Sequence, residues 1–286
     1  MGGIIWLASF PKSGNTWVRA YLHNLLRNPP KPADINQLDQ FCYGESSAVW
    51  YRNLTGDTPS WEATTEEIAQ IRHQGHRRMA QSSPDSVFVK THNYMGEWHD
   101  IPIHTMDVTN GAIYVVRNPL DVVLSFANHF GCTFDQAIDQ MGDPKSATNN
   151  TEEHIPEILS TWSMHVKSWT EQKETRWLHI VRYEDMLDKP FKTFNKVARF
   201  LDLNPPKARV QKAIKFSSFK SLKTQEQKTG FKEASENASS FFRSGKKGQW
   251  RSVLSDEQIR RVISDHGEQM KRFDYLPKGY EATDAT

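Results

Sequence analysis

The chain begins with an unbroken apolar run, Ile4-Ile5-Trp6-Leu7-Ala8, and Phe10-Pro11-Lys12-Ser13-Gly14-Asn15-Thr16-Trp17 follows it almost at once. An apolar run with no polar alternation reads as a strand buried on both faces, the kind found inside parallel sheets. From Thr16 to Leu26 the apolar residues recur at helical spacing until Pro29-Pro30 stops them. The first unit is therefore strand, tight loop, helix. A helix N-terminus leaves amide groups unpaired and carries partial positive charge, so the loop before Thr16 is a natural anion cradle. Gly14 permits close backbone approach, while Ser13, Asn15 and Thr16 add short donors. In a nucleotide-hydrolase loop the lysine follows glycine and precedes a magnesium-binding hydroxyl. Here Lys12 precedes Ser-Gly, an order that suits charge stabilisation over an anion without a metal. An ordinary strand-to-helix connection, with Lys12 solvated and Asn15 capping the helix, fits the same residues.

Further apolar runs at Ser86 to Lys90, Ala112 to Val116 and Trp177 to Val181 predict more central strands. Alternation with helical segments predicts one α/β domain, residues 1–277, with a central parallel sheet flanked by helices and a frayed tail over 278–286. Ligands gather at the carboxyl ends of such strands. Lys90-Thr91-His92 follows the second run and offers a cation, a hydroxyl and a base that can be neutral near pH 7. Arg117 ends the third run, Pro119 suits a first helical turn, and Ser125 lies about two turns into that helix. Arg117 offers phosphate a planar fork; a salt bridge with Asp121 is the competing use. Phe242-Arg243-Ser244-Gly245 through Gly248-Gln249-Trp250 has the charge and glycine of a loop that folds over phosphate, or of a solvated surface loop. The segments 28–83 and 133–154 show poorer periodicity and read as insertions over one end of the sheet.

The 286 residues carry a net charge of +2, so any basic site is local and nucleic acid is not expected as a partner. Cys42 and Cys132 make neither a disulfide framework nor a zinc site, which points to a reducing cytoplasm. Ile4 to Phe10 is too short to span a bilayer, no basic segment leads into a cleavable apolar run, and Trp6 stands where a myristoylation signal needs Ser or Thr. No membrane partner and no metal are expected.

Taken in order, these segments resemble the sulfotransferases that use 3′-phosphoadenosine 5′-phosphosulfate (PAPS), of the soluble cytosolic and bacterial kind. Phe10 to Trp17 resembles their 5′-phosphosulfate loop, Lys90-Thr91-His92 the catalytic-base motif, Arg117 to Ser125 the 3′-phosphate motif, and Phe242 to Trp250 the late phosphate loop. The resemblance implies a fold akin to phosphate-loop nucleotide hydrolases. It implies that Lys12, Ser13, Gly14, Asn15 and Thr16 hold the 5′ end, and that Arg117, Ser125, Arg243, Ser244 and Gly245 hold the 3′ phosphate. Trp17 would stack on adenine, with Tyr183 and Ser217-Ser218-Phe219 at its edge. Asn15 stands where animal members usually have threonine, and Ser244 replaces a common lysine, so Lys246 or Lys247 becomes a substitute. The short dimer motif of animal members is absent, which leaves the oligomeric state open.

The implied reaction is in-line sulfuryl transfer to a small hydroxyl acceptor, leaving adenosine 3′,5′-bisphosphate (PAP). His92 would take the acceptor proton, Lys12 and Lys90 would stabilise charge on the leaving phosphate, and Ser125 would pair with Lys12 until the acceptor arrives. Phe41, Tyr43, Trp50, Tyr51, Trp61, Trp98, Phe130 and Phe134 suggest an apolar acceptor pocket and a phenol or hydrophobic alcohol. A related kinase and a non-catalytic PAP-binding protein are the rival readings; the first needs a strand-end carboxylate for magnesium, where this chain has Arg117.

Overall fold

The structure is a computed structural model that describes residues 2–238 and 240–280. Its strands are β1 (Ile4–Ser9), β2 (Cys42–Gly44), β3 (Val87–Thr91), β4 (Glu97–Trp98), β5 (Ile101–Pro102), β6 (Thr109–Val116) and β7 (Leu178–Arg182). The helices are α1 (Asn15–Arg27), α2 (Leu38–Phe41), α3 (Thr65–Gln81), α4 (Pro119–Phe130), α5 (Phe134–Gly142), α6 (Trp162–Thr170), α7 (Tyr183–Asp188), α8 (Pro190–Phe200), α9 (Lys207–Phe216), α10 (Phe219–Thr229) and α11 (Asp256–Arg272). The class is the expected α/β, with a parallel five-stranded sheet in the order β2-β3-β1-β6-β7, while β4 and β5 form a separate hairpin. β1 pairs with β3 from Ile4↔Val87 to Ala8↔Thr91. After β1 the chain builds to one side through β2 and β3, then crosses to the other through β6 and β7. The switch point thus lies between β1 and β6, where α/β sheets place their ligands.

Contacts within the chain define two compact units. The first holds residues 1–10, 42–114 and 143–180; the second holds 11–41, 115–142 and 181–286. The first unit is built on β1, β3 and most of β6, with Ile4, Trp6, Val89, Ile113 and Tyr114 inaccessible to solvent. The second is mainly helical, with α1 against α9, α4 and α5 against α11, and α8 between α7 and α9. Tyr21 of α1 donates its hydroxyl to the Phe194 carbonyl at 3.0 Å and stacks on that ring.

Two features depart from the sequence reading. The 28–83 segment is not all irregular insertion: it contains β2, hydrogen-bonded in register with β3, and the 17-residue α3. The α3 N-terminus is a capping box, Thr64 with Glu67, but its buried face uses Arg72, Gly75 and His76 beside Ile68, Ile71 and Met79, so its apolar periodicity is weak. Similarly, 133–154 contains α5. In the tail, Tyr280 donates to Asp256, and residues 281–286 lie outside the described residues. Among the described residues no helix is long and apolar enough to cross a membrane.

Burial leaves several histidines neutral. It pulls His104 and His165 down to about 3 and His266 to about 4, and it lowers His76 against the opposing pull of Glu45. All four folded values lie below the ordinary 6.5, so the unfolded chain binds more protons as pH falls. Their stabilising contribution is complete above about pH 6.5 and is lost towards the folded values, at up to about 1.4 kcal/mol per pH unit for each group. The denaturant midpoint is therefore expected to fall between about pH 8 and about pH 5.5, above the carboxylate range, and His104→Leu to flatten that slope. A midpoint constant over this range would contradict the assignment.

Candidate active site

Every residue expected to bind the nucleotide lies in the second unit. The loop after β1 turns sharply because Lys12 and Gly14 both take positive φ, 65° and 110°. Gly14, not Asn15, is the N-cap of α1, and its carbonyl accepts from Trp17 N at 3.0 Å. A side chain on Gly14 would meet Tyr183 Cδ2 at 2.7 Å, so glycine is required by conformation and by space. Ser13 is buried and its hydroxyl has no hydrogen-bond partner, a costly state for an isolated polar atom that an anion would relieve. Thr16 Oγ1 accepts from Arg19, whose guanidinium also grips the Glu233 carboxylate with both terminal nitrogens.

Arg117, at the end of β6, reaches back to this loop and donates from Nη1 to the Lys12 carbonyl at 3.0 Å. Its guanidinium carbon lies 4.3 Å from the Tyr183 ring centroid, and its buried Nε has no partner. The salt bridge with Asp121 does not form. Asp121 instead accepts from the Gly248 and Trp250 amides at 2.6 and 3.3 Å and so anchors the late loop to α4. In that loop Arg243 is exposed, Ser244 and Gly245 are half-buried, and Gly245 takes φ 62° against the Phe219 ring. Glu226 of α10 fixes the loop start by accepting from Phe241 and Phe242 amides at 2.5 and 2.9 Å. Lys12 Nζ lies 3.7 Å from the Phe241 ring centroid, and Lys247 pairs with Asp188. Ser125 is half-buried on α4.

Trp17 packs edge-on to Tyr183 and Phe194, and its buried indole nitrogen has no partner. Ser217 is fully buried and bonds the Ala213 carbonyl, Ser218 caps α10, and Phe219 packs on Phe242. The cradle at the head of α1, the orphaned Ser13 hydroxyl and the Arg117 fork fit an anionic nucleotide end.

The first unit holds Lys90 and His92. His92 Nδ1 sits 2.6 Å from the Ser9 carbonyl oxygen. A carbonyl only accepts, so Nδ1 carries a hydrogen, and in the neutral ring the lone pair then lies on Nε2. That is the tautomer a general base requires. Lys90, half-buried in β3, gives its carbonyl to the Glu45 amide at 2.9 Å.

Among the described residues the aromatic candidates make separate contacts within each unit. In the first, Tyr43 packs on Trp50, Trp98 faces Arg72, Trp61 is exposed, and Tyr51 is a core residue bonded to the Glu45 carbonyl at 3.0 Å. In the second, Phe41 stacks on His23 and the exposed Phe130 packs at a tilt against Phe126. Phe134 lines a cavity of about 380 Å³ with Leu124, Ala127, Asn128, Asn237 and Arg243.

The sulfotransferase domain profile matches residues 4–274. The chain belongs to the sulfotransferase family. This sulfotransferase is 26% identical over 264 residues to dog sulfotransferase 1B1, covering 89% of this chain and 79% of that protein. It is 25% identical over 279 residues to flavonol 3-sulfotransferase of Flaveria bidentis, covering 90% and 78%. In fold it resembles retinol dehydratase solved with androsterone and PAP, at TM-score 0.66 and 17% identity over 97% of this chain and 83% of the other. A mouse sulfotransferase complexed with PAP superposes at TM-score 0.59 and 20% identity, covering 96% and 88%.

Sequence reasoning missed the supports of this enzyme's loops. The sequence offers Asp121 only as a competing partner for Arg117, whereas it serves chain 127 residues later. No local signal pairs Glu226 with Phe241 or Arg19 with Glu233. Because Asp121 is buried and satisfies two loop amides, Asp121→Ala is expected to destabilise the loop by about 1–3 kcal/mol. Limited proteolysis should then cut within 240–252 much faster, and an unchanged cleavage rate would refute the anchoring role.

Proposed function

We propose that this sulfotransferase moves the sulfuryl group from PAPS to the hydroxyl of a small acceptor, a phenol or hydrophobic alcohol, and releases PAP. The observation that carries the reading is the Arg117 bond to the Lys12 carbonyl, which joins two strand-end loops at one anion cradle. Relatives solved with PAP support the choice of nucleotide. Lys12, Ser13, Gly14, Asn15 and Thr16 hold the 5′ phosphosulfate, and Arg117, Ser125, Arg243, Ser244 and Gly245 the 3′ phosphate. Trp17, Tyr183, Ser217, Ser218 and Phe219 take the adenine. Lys247 is already paired with Asp188, so Lys246 is the better substitute for the lysine that Ser244 replaces.

In the reaction, the acceptor oxygen forms a bond to sulfur as the bond from sulfur to the bridging phosphate oxygen breaks. The acceptor proton passes to His92 Nε2, an effect worth about 10²–10⁴-fold. Lys12 stabilises the charge that grows on the bridging oxygen, with Lys90 as a second cation, as positioned donors do in related transfers. Ser125 restrains Lys12 before the acceptor binds. The cavity beside Phe134 has Leu124 and Ala127 on its apolar side and Asn128, Asn237 and Arg243 on its polar side, and the apolar side is where a hydrophobic acceptor would lie. Phe41, Tyr43, Trp50, Trp98 and Phe130 are further acceptor-facing candidates. Neither Cys42 nor Cys132 forms a disulfide, in keeping with a reducing cytoplasm.

Isothermal titration with PAP and with ATP tests the donor site. PAP is expected to bind in the presence of chelator, and Arg117→Ala to weaken it by about 1.5–3 kcal/mol, the loss of a charged hydrogen-bond donor. Preference for ATP with magnesium would overturn the reading. His92→Ala is expected to lower turnover by at least about 10²-fold while leaving PAP binding unchanged; near-normal turnover at saturating acceptor would remove His92 from the base role.

A further inference from the structure

Behind His92 lies a polar assembly that sulfuryl transfer itself does not call for, all of it within the first unit. Glu45 follows β2 and extends the β2–β3 ladder by one residue, which brings it beside Lys90 and Thr91. It is wholly buried. Its Oε1 accepts from Arg72 Nη1 at 2.5 Å, His76 Nε2 at 3.0 Å and Tyr51 OH at 3.1 Å. Its Oε2 accepts from Asn93 Nδ2 at 2.6 Å. Burial alone would raise the Glu45 carboxyl, but Arg72 and the His76 bond outweigh it and hold the group well below the ordinary carboxylate range. The Glu45 charge is therefore fixed and balanced by Arg72.

Asn93 is the next residue after His92, and it too is wholly buried. Its side-chain amide spends both ends: Nδ2 also reaches Thr91 Oγ1 at 3.2 Å, and Oδ1 accepts from Ile158 N at 2.6 Å. Its own amide donates to Thr91 Oγ1 at 3.1 Å, and its carbonyl accepts from Trp169 Nε1 at 2.9 Å. Arg72 links the same network to the 156–158 segment by donating to the Pro156 carbonyl at 2.8 Å. That segment supplies Glu157 Oε1 to the His92 amide at 3.1 Å, while neutral His165 donates to the His92 carbonyl at 3.0 Å.

We infer that Glu45, acting through Asn93, is a positioning element that holds His92 in the tautomer used for catalysis. The inference rests on His92 being the base proposed above. A buried ion pair is weak evidence for stability, because desolvation offsets most of its attraction. Fixing one geometry is a better-attested use, and this network fixes the backbone on either side of His92. The short Nδ1 bond to the Ser9 carbonyl exists only while that backbone keeps its register against β1. Misplacing a reacting group by about 1 Å costs on the order of 10²-fold.

The test uses the full chain with histidine labelled in the ring nitrogens, together with Asn93→Ala, Thr91→Val, His92→Ala and Asn93→Ala combined with His92→Ala. His92→Ala identifies the His92 signal, and PAP titration reports that the second unit is intact. Wild type is expected to show His92 in the single Nδ1–H form. Asn93→Ala and Thr91→Val should give a mixture of tautomers, with PAP affinity within about twofold of wild type and kcat for a phenolic acceptor lower by about ten- to a hundredfold. Asn93→Ala should add little to His92→Ala, since it acts through the same group. A single unchanged tautomer in both variants, with only a lower melting temperature, would overturn the inference. If Asn93→Ala does not fold, Thr91→Val decides. If His92→Ala turns over normally the base assignment fails, while the tautomer measurement still decides whether the clamp positions the ring.

Discussion

The chain at and just after the end of β1 carries the contacts on which the proposed residues of each unit depend. In the first unit the Ser9 carbonyl at the strand end holds the His92 ring; in the second the Lys12 carbonyl, in the loop that follows, holds the Arg117 guanidinium. A carbonyl at a strand end has no ladder partner beyond it and must find a donor elsewhere. Here the donors are the two side chains that the proposed chemistry most needs to hold still. The positive φ of Lys12 and Gly14 turns the chain sharply enough for the second carbonyl to face Arg117.

The supports behind these contacts are polar and buried, which is an expensive way to build a core. Hydrogen bonds must satisfy nearly every buried group, since an unmatched one costs more than a matched one returns. Glu45 meets this condition with four donors, and Asn93 uses both ends of its amide. His104 does not: it lies between Trp6 and Trp169 with neither ring nitrogen bonded, and burial keeps it uncharged. In the second unit Ser13 Oγ, Trp17 Nε1 and Arg117 Nε are among the buried polar atoms without a partner, as are atoms of Gln225 and Trp250. Ser13 lies in the loop before α1, where a bound anion would satisfy it.

Legibility followed the length and polarity of each element. β1 and β6 were readable because a strand buried on both faces has no polar alternation to confuse it, and β3 and β7 because their runs stay apolar although one face is only partly buried. β2 escaped notice because three residues at a sheet edge, Cys42–Gly44, carry no period. α3 escaped because its buried face is partly the polar network itself: Arg72 and His76 sit where Leu or Ile would announce a helix. Tyr51 looked like a pocket aromatic and is a core residue, since Gly75 leaves room for its ring and Glu45 takes its hydroxyl.

The sequence by itself determined the alternation of strand and helix, the anion cradle after β1 and the family, because each is encoded in contiguous residues whose spacing and chemistry are local. Tertiary structure decided which carbonyl fixes the His92 tautomer, that Asp121 anchors residues 248–250 instead of pairing with Arg117, and that Glu45 reaches Asn93 across 48 positions. Those choices depend on which strand ends become neighbours, and no local period records a partner tens of residues away.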